Sequence, residues 1–429
     1  VYPNELERYA AALASHWREA GDWQQEGPYL LIAIRHAGES SAYAEARDLC
    51  RRALEIRAYE DQPNPTEALA EIHNLLGYAL YYLSEYDASR EQQRESLALY
   101  QSIDHRKGIA DAITGLGEAD LRQGLHEQAQ AAFEEALPVR LELGIVRDIG
   151  YAYMNLGVIE ANEDRWEKAG EYFKRSLEYM QQGTSLRDLS RALNNYANVI
   201  DVLGDHEGAR QVHLQALDIR QQIHDVPGMA YSYSNLGSLE FDLGNLDAAL
   251  DYIEHALVMS QRSGDRYSIA SQLSMLGEIR FKRGDYDQAR AYFQRSLEMR
   301  TQIEDRRGIA QDRERLANIA RALGDYDGAL LAYQQALAFS IETHLEVSIQ
   351  NVIAEIARML MEQHKLRSAL KLLSYVRAHR PTPVPSDDEA IGELEMQMPP
   401  NAFASAQALG EALTFEEIST RIAQGDLDF

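Results

Sequence analysis

Three asparagines stand at a spacing that could hold an extended peptide. Asn155, Asn195 and Asn235 follow one another at intervals of 40 residues. A side-chain amide donates and accepts hydrogen bonds at once, so it can pair with the backbone of another chain. On stacked helices roughly 10 Å apart, such a column would match about three residues of extended peptide per step. Hydrogen bonds between neighbouring helices are the alternative role, and the sequence leaves both open.

Residues for covalent or metal chemistry do not form a recognisable site. The sequence contains no G-x-S-x-G elbow, no H-E-x-x-H pair, no calcium-loop pattern and no Gly-Lys dipeptide, which a phosphate-binding loop requires. His126-Glu127 and His206-Glu207 lack a second histidine one turn later. Cys50, the single cysteine, follows Leu49 in a helical pattern, and we expect a small core residue there. We therefore predict no catalysis, no cofactor and no metal site.

Composition and charge exclude several classes of partner. The 429 residues include 42 Lys and Arg against 68 Asp and Glu, a formal net charge of −26. Nucleic acids and anionic membranes both select clustered cations, so we expect direct contact with neither. The longest apolar stretch near the start, residues 29–34, is too short to cross a bilayer. One cysteine suits a reducing compartment, so we expect a cytoplasmic protein.

An internal repeat supplies the elements that would position the asparagines. A small residue recurs every 40 residues from Gly77 to Ala357, in strings such as NLLGYAL, MNLGVIE and SMLGEIR. A second small column follows twelve residues later, and a third column holds leucine from Leu97 to Leu337. Small residues at fixed places let two helix backbones approach closely. The columns therefore predict a series of helix pairs in constant phase.

Turns of one kind separate the two helices of a unit. Examples are Gly204-Asp205, Gly284-Asp285 and Gly324-Asp325. We expect glycine to end the first helix in the left-handed conformation and aspartate to cap the second helix.

The phrase NLG…GDY…A…F..AL resembles the tetratricopeptide repeat (TPR). The usual period is about 34 residues, and the longer unit is similar to the extended repeats of kinesin light chains, Pins-type polarity adaptors and bacterial signalling ATPases. The resemblance implies an all-α fold, a right-handed superhelical solenoid of antiparallel helix pairs. We expect an irregular helical cap at 1–69, eight 40-residue units at 70–380, and a proline-rich link with an acidic helical cap at 381–429.

Both flanks of the repeats resemble those of STAND-class signal-transduction NTPases, including bacterial NB-ARC-like and LuxR-type regulators. The phrase ASHWREAGDWQQEGPYLLIAIRHAG precedes the repeats, and the segment from Phe403 to Ile422 follows them. Thr414 and Glu417 there also predict a capping box. The resemblance implies the ligand-sensing arm of a bacterial transcription regulator, whose NTPase would lie N-terminal to Val1. A free-standing TPR scaffold or peptide-signal receptor is the alternative.

In TPR proteins one stripe of the first helix lines an inner groove, and the resemblance places a ligand on the equivalent residues. Counting each unit from residue 70 in steps of 40, positions 4, 7 and 8 form a packed stripe, and positions 2, 5, 9 and 12 form the groove stripe. Aromatic members would anchor a protein or peptide partner, although helix packing could also explain them. The predicted concave-face site comprises Asn74, Tyr78, Tyr81, Tyr82, Tyr151, Asn155, Arg191, Asn194, Asn195, Asn198, Tyr231, Asn235, Phe241, Phe281, Asn318, Arg321 and Arg358.

Overall fold

The computed structural model describes residues 6–40, 42–183, 185–380 and 384–429. These stretches consist of helices and their connections, with no strand among the described residues. The predicted all-α fold of paired helices is therefore confirmed. The prolines at 381–383, part of the predicted link, lie outside the described residues. The chain divides into two compact units, Val1–Ile223 and His224–Phe429.

Unit 1 holds eleven described helices. They are α1 (Leu6–Glu19), α2 (Trp23–Glu39), α3 (Tyr43–Glu55), α4 (Pro65–Tyr82), α5 (Tyr86–Ser102), α6 (Arg106–Arg122), α7 (His126–Leu143), α8 (Val146–Asn162), α9 (Trp166–Met180), α10 (Leu186–Val202) and α11 (His206–Gln222). From α4 onward they pack as consecutive pairs, and the second helix of one pair packs against the first helix of the next. The first helix α6 also packs directly against α4 and α8.

Unit 2 holds the other eleven described helices. They are α12 (Val226–Asp242), α13 (Leu246–Ser263), α14 (Arg266–Lys282), α15 (Tyr286–Gln302), α16 (Arg306–Ala322), α17 (Tyr326–Glu342), α18 (Glu346–Glu362), α19 (Leu366–His379), α20 (Pro385–Gln397), α21 (Pro400–Glu411) and α22 (Phe415–Gln424). Helices α12 to α19 pair as in unit 1, and α20 and α21 pack against α19.

Small residues permit the close approach of the two helices of a pair. A Cβ added to Gly117 in α6 would lie 2.8 Å from Cε1 of Phe133 in α7. A Cβ on Gly237 in α12 would lie 2.5 Å from Cδ1 of Ile253 in α13. Both distances are shorter than side chains tolerate, so the glycine column exists because a large residue from the second helix occupies that space.

Of the three Gly-Asp turns named above, two follow the predicted pattern in full. Gly204 has φ of +90°, and Oδ1 of Asp205 accepts a hydrogen bond from the amide of Gly208 at 2.9 Å. Asp325 caps α17 in the same way. The expectation was wrong for Asp285, whose side chain makes no cap bond and lies 3.6 Å from Arg280 as an ion pair.

The C-terminal helices are fastened to the last repeat helices. Gly410 in α21 lies so close to α19 that an added Cβ would be 2.4 Å from the carbonyl oxygen of Lys371. Nε2 of Gln334 in α17 donates to the carbonyl oxygen of Ile422 at 2.7 Å. The predicted capping box of Thr414 and Glu417 is confirmed at the start of α22.

Cys50 is fully buried in α3, and burial raises the pKa of its thiol to about 12, as a core residue requires. None of the helices in the described part of the chain is long and apolar enough to span a bilayer.

Candidate functional site

The first helices of unit 1 form a surface on which equivalent positions lie side by side. We call it the unit-1 first-helix surface. It comprises Tyr78, Tyr81, Tyr82, Glu118, Arg122, Tyr151, Asn155, Arg191, Asn194, Asn195 and Asn198, each at least partly exposed. Two hydrogen bonds on it join consecutive first helices, from Arg122 to Tyr81 and from Asn155 to Glu118. This part of the predicted stripe therefore lies between neighbouring first helices.

Tyrosines dominate the α4 end of this surface. The rings of Tyr43 and Tyr82 are stacked with centroids 4.1 Å apart and an interplanar angle of 11°. Tyr81 meets Tyr82 edge to face at 5.0 Å, and Nε of Arg122 donates to the hydroxyl oxygen of Tyr81 at 2.9 Å. Tyr82 nevertheless keeps 54% of its surface exposed. We call Tyr43, Tyr81, Tyr82 and Arg122 the tyrosine ledge. Tyrosine and arginine side chains of this kind contribute strongly to binding.

Two members of this ledge, Arg122 and Tyr43, lie outside the stripe that the sequence predicts. Arg122 occupies position 13, one place beyond the predicted stripe, and Tyr43 precedes the regular repeats. A helical stripe widened by one position would have included Arg122. No sequence signal indicated the stacking of Tyr43, because it depends on how α3 packs against α4.

Glu118 is the titratable group at the middle of the surface. Burial raises its pKa from 4.5 to about 7, and a hydrogen bond from Nδ2 of Asn155 to Oε1 at 3.5 Å opposes that shift. Desolvation, followed by the charge of Glu118, also raises the pKa of Tyr78. Asn155 therefore contacts a neighbouring first helix, which is the packing role that the sequence left open for it.

A second polar cluster joins α8 to α10. The hydroxyl of Tyr151 donates to Oδ1 of the buried Asp188 at 2.5 Å, and Nε of Arg147 lies 3.0 Å from Oδ2. Further along α10, Arg191 and Asn198 are exposed, and Asn194 and Asn195 are half-buried. These side chains give the surface donors and acceptors suited to a peptide backbone.

Position 5 of the predicted stripe turns towards the hairpin interior in α4. Asn74 is only 8% exposed, and its Nδ2 donates to Oε1 of Gln93 at 3.1 Å. Gln93 returns a bond from Nε2 to the carbonyl oxygen of Asn74 at 3.1 Å. Asn74 therefore belongs to helix packing and not to the exposed surface.

Ion pairs cover much of the equivalent surface of unit 2. Arg321 pairs with Glu355 at 3.0 Å, and Arg358 pairs with Glu355 at 2.7 Å and with Asp387 at 2.5 Å. The hydroxyl of Tyr333 donates to Oδ1 of Asn318. The predicted polar residues of α16 and α18 are thus engaged with other side chains of the protein.

The remaining predicted residues of unit 2 differ in accessibility. Tyr231 is 54% exposed and Asn235 is half-buried. Phe241 packs against the cluster around Ile253, with the Lys282 ammonium 4.2 Å from its ring centroid. Phe281 packs against the cluster around Phe293. No group of three or more potential metal-binding side chains occurs within the described stretches.

Comparison with known families identifies the architecture. Residues 156–397, more than half of the chain, match the family described as the MalT-like TPR region. The chain belongs to the MalT-like TPR family. Tetratricopeptide repeats also match residues 68–142 and 114–186 of this MalT-like TPR chain. No curated protein matches it.

Solved structures similar to the MalT-like TPR chain share its fold at low sequence identity. The apo form of RapI has a TM-score of 0.61 at 16% identity and covers 79% of this chain and 93% of its own. The apo form of the quorum sensor NprR from B. thuringiensis has a TM-score of 0.60 at 13% sequence identity. The match covers 81% of this chain and 96% of NprR. The Rap conjugation gene regulator of plasmid pLS20, in complex with the Phr* peptide, has a TM-score of 0.52 at 18% sequence identity. The match covers 67% of this chain and 77% of the regulator.

Proposed function

We propose that the unit-1 first-helix surface binds a peptide or an extended segment of a protein, and that the chain has no catalytic activity. The observation that carries this proposal is the tyrosine ledge, in which Tyr82 is 54% exposed and Tyr81 is half-buried, followed along α8 and α10 by amide and guanidinium groups. Aromatic rings supply binding energy, and the amides supply sequence-independent contacts to a backbone. The similarity in fold to the Rap conjugation gene regulator, whose structure is in complex with the Phr* peptide, supports a peptide as the ligand.

Selection from a phage-displayed library of linear peptides, followed by fluorescence polarisation with the enriched peptides, tests the binding surface. The variant Tyr82→Ala/Arg191→Ala removes two exposed groups of the surface and should weaken binding about tenfold or more. The control Tyr9→Ala/Arg51→Ala removes the same residue types from exposed places on α1 and α3. Equal affinity of the two variants, or a library that yields no binding peptide, would contradict the proposal.

Substitution of asparagines separates a binding role from a packing role. Asn195→Ala should weaken binding of the selected peptide and leave the helical circular dichroism unchanged. Asn155→Ala should mainly change the titration of Glu118, because Asn155 already bonds to that carboxylate. An Asn195→Ala variant with full affinity would leave the asparagine column without a part in binding.

We further propose that this chain is the sensor arm of a STAND-type regulator, with a nucleotide-binding domain N-terminal to residue 1. Membership of the MalT-like TPR family supports that reading. The arm would comprise a helical cap at 1–69, eight 40-residue units at 70–380 and a C-terminal cap at 381–429. A ligand that binds one geometry of the arm better than another would bias the nucleotide switch by that difference in affinity.

A free-standing peptide receptor is the second candidate, and the similarity of fold to the quorum sensor NprR favours it. The reading frame upstream of Val1 separates the two. A continuous frame encoding a G-x-x-x-x-G-K-[ST] loop supports the sensor arm, whereas a start codon next to Val1 supports the free-standing receptor.

A further inference from the structure

Tyrosine rings fill the space between the helices of two repeat pairs. In α8 and α9, the ring centroid of Tyr153 lies 6.2 Å from that of Tyr172 and 5.7 Å from that of Tyr179. In α12 and α13, Tyr233 lies 6.4 Å from Tyr252. Tyr233 and Tyr252 stand 80 residues after Tyr153 and Tyr172, so two repeat pairs place tyrosine rings at the same two positions.

The pair α16 and α17 departs from that filling. The positions of Tyr153, Tyr172 and Tyr179 are held there, 160 residues later, by Arg313, Ala332 and Phe339. Two rings are thus replaced by an arginine and an alanine. An alanine also stands at the equivalent place in α7, but Ala132 packs there with Ile113 into an apolar cluster.

A groove lies where the rings are missing. It has a volume of about 600 Å³ and is lined by Leu297 of α15, Arg313 and Leu316 of α16, and Ala332 and Phe339 of α17. That volume falls within the range of sites for small molecules. Five of its eight lining residues are apolar, and the polar ones are one cation, Arg313, one amide, Gln335, and one anion, Glu342.

Arg313 lines this groove, and among the described residues it forms no ion pair, although Glu342 lines the same groove. Its guanidinium carbon lies 4.4 Å from the ring centroid of Phe339. Arg315, two residues later and roughly 200° around the helix, pairs with Glu278 on the other side. A half-buried guanidinium stacked on an aromatic ring offers a planar, bidentate site for a carboxylate.

We propose that this groove binds a small aromatic carboxylate. The aromatic ring of the ligand takes the place that Tyr172 and Tyr252 fill in other pairs, and its carboxylate accepts hydrogen bonds from Arg313. Glu342 is also part of the lining, which favours a ligand with only one carboxylate. The site is separate from the unit-1 first-helix surface, so it extends beyond the proposed peptide binding.

Ligand-observed NMR titration with 4-hydroxyphenylacetate tests the proposal on the full chain. This probe joins the phenol ring of tyrosine to one carboxylate. We expect saturable binding, with affinity about tenfold or more above that of the neutral 4-hydroxyphenylacetamide, because the amide loses the charge-assisted bond to Arg313. Absence of saturable binding, or equal binding of acid and amide, would overturn the proposal.

Two variants locate the binding site. Ala332→Tyr restores the ring found in other pairs and should abolish binding by filling the groove, whereas Ala131→Tyr on the exposed face of α7 should leave binding unchanged. Arg313→Gln keeps a polar side chain and should weaken binding of the acid about tenfold or more. Unchanged binding by a folded Ala332→Tyr protein would place the site elsewhere. If circular dichroism shows that this variant does not fold, Arg313→Gln decides, and full affinity in it would overturn the proposal.

Discussion

Asn155 on α8 donates its side-chain amide to the carboxylate of Glu118 on α6, with Nδ2 and Oε1 3.5 Å apart. The two residues are 37 positions apart in the chain, and the bond joins consecutive first helices. This hydrogen bond is the largest contribution that opposes the rise in pKa caused by burial of the carboxylate. Because the bond is long, it offsets the cost of burial only in part. The consequence is a glutamate whose pKa is raised to about 7.

The raised pKa of Glu118 predicts that stability depends on pH. The unfolded chain releases the proton near pH 4.5, whereas the folded protein holds it until about pH 7. Folding is therefore favoured below pH 4.5, and this contribution is lost as the pH rises through 7. Glu118→Gln should be more stable than the wild type above pH 7 and nearly equal at pH 4.5. Urea denaturation at both pH values measures this, with the exposed Glu135→Gln as the control; a constant difference between Glu118→Gln and the wild type would refute it.

His213 predicts a pH dependence of opposite sign. It is 2% exposed, its Nδ1 has no hydrogen-bond partner among the described residues, and burial lowers its pKa from 6.5 to about 4. Below pH 6.5 the unfolded chain binds a proton at this histidine, whereas the folded protein binds it only near pH 4. The free energy of unfolding therefore falls as the pH decreases from 6.5 to about 4, by up to about 3 kcal/mol.

The same repeat position holds Phe133 and Phe173 in two preceding helix pairs. His213→Phe should therefore flatten the decline in stability below pH 6.5, when denaturation midpoints are compared across that range. His16→Phe, at an exposed site on α1, should retain the full decline. Equal slopes for the two variants would show that another group controls acid sensitivity.

Gly410 should be indispensable for docking of the C-terminal helices. An added Cβ would lie 2.4 Å from the carbonyl oxygen and 2.6 Å from Cα of Lys371, and backbone atoms cannot rotate away. Gly410→Ala should lower the free energy of unfolding by about 1–3 kcal/mol. Gly392→Ala, with open space around its Cβ, should be neutral or raise it by up to about 1 kcal/mol. Hydrogen exchange of α21 and chemical denaturation report the difference, and equal stability of the two variants would contradict the close approach.

Leu236 tests the packed stripe of the first helices. It is fully buried in α12, so Leu236→Ala should leave a cavity and destabilise the protein by about 2–5 kcal/mol. Leu331→Ala, at a leucine 58% exposed on α17, should change stability little. Thermal unfolding of both variants provides the comparison. A Leu236→Ala protein as stable as Leu331→Ala would mean that the stripe does not carry the core.

The periodic features of this protein could be predicted because each repeat uses the same local rules. A glycine such as Gly117 marks the place where Phe133 enters, and Thr414 with Glu417 carries the signal of its helix start within four residues. A local signal gives the wrong prediction when a neighbouring side chain competes for the same group. Asp285 stands in the position of the capping aspartates, but it forms an ion pair with Arg280 and does not cap its helix.

The candidate sites were predicted only in part. Tyr81 of the helical stripe and the adjacent Tyr82 lie on a surface that is at least partly exposed, whereas Asn74 of the same stripe is drawn into the interior by Gln93. The stripe omitted Tyr43, because residues 39 positions apart come together only once α3 packs against α4. Spacing along a helix defines a face, but the reach of each side chain depends on its neighbours.

By itself, the sequence determined the all-helical repeat fold, the phase of its helix pairs and the residues that must be small. These depend on backbone hydrogen bonding and on steric limits that act over a few residues. Only the tertiary structure decided which polar groups bond to one another and where space is left over. The groove beside Arg313 arises because side chains from three helices do not fill the space between them. The sequence of one helix does not show how much of that space the other two helices fill.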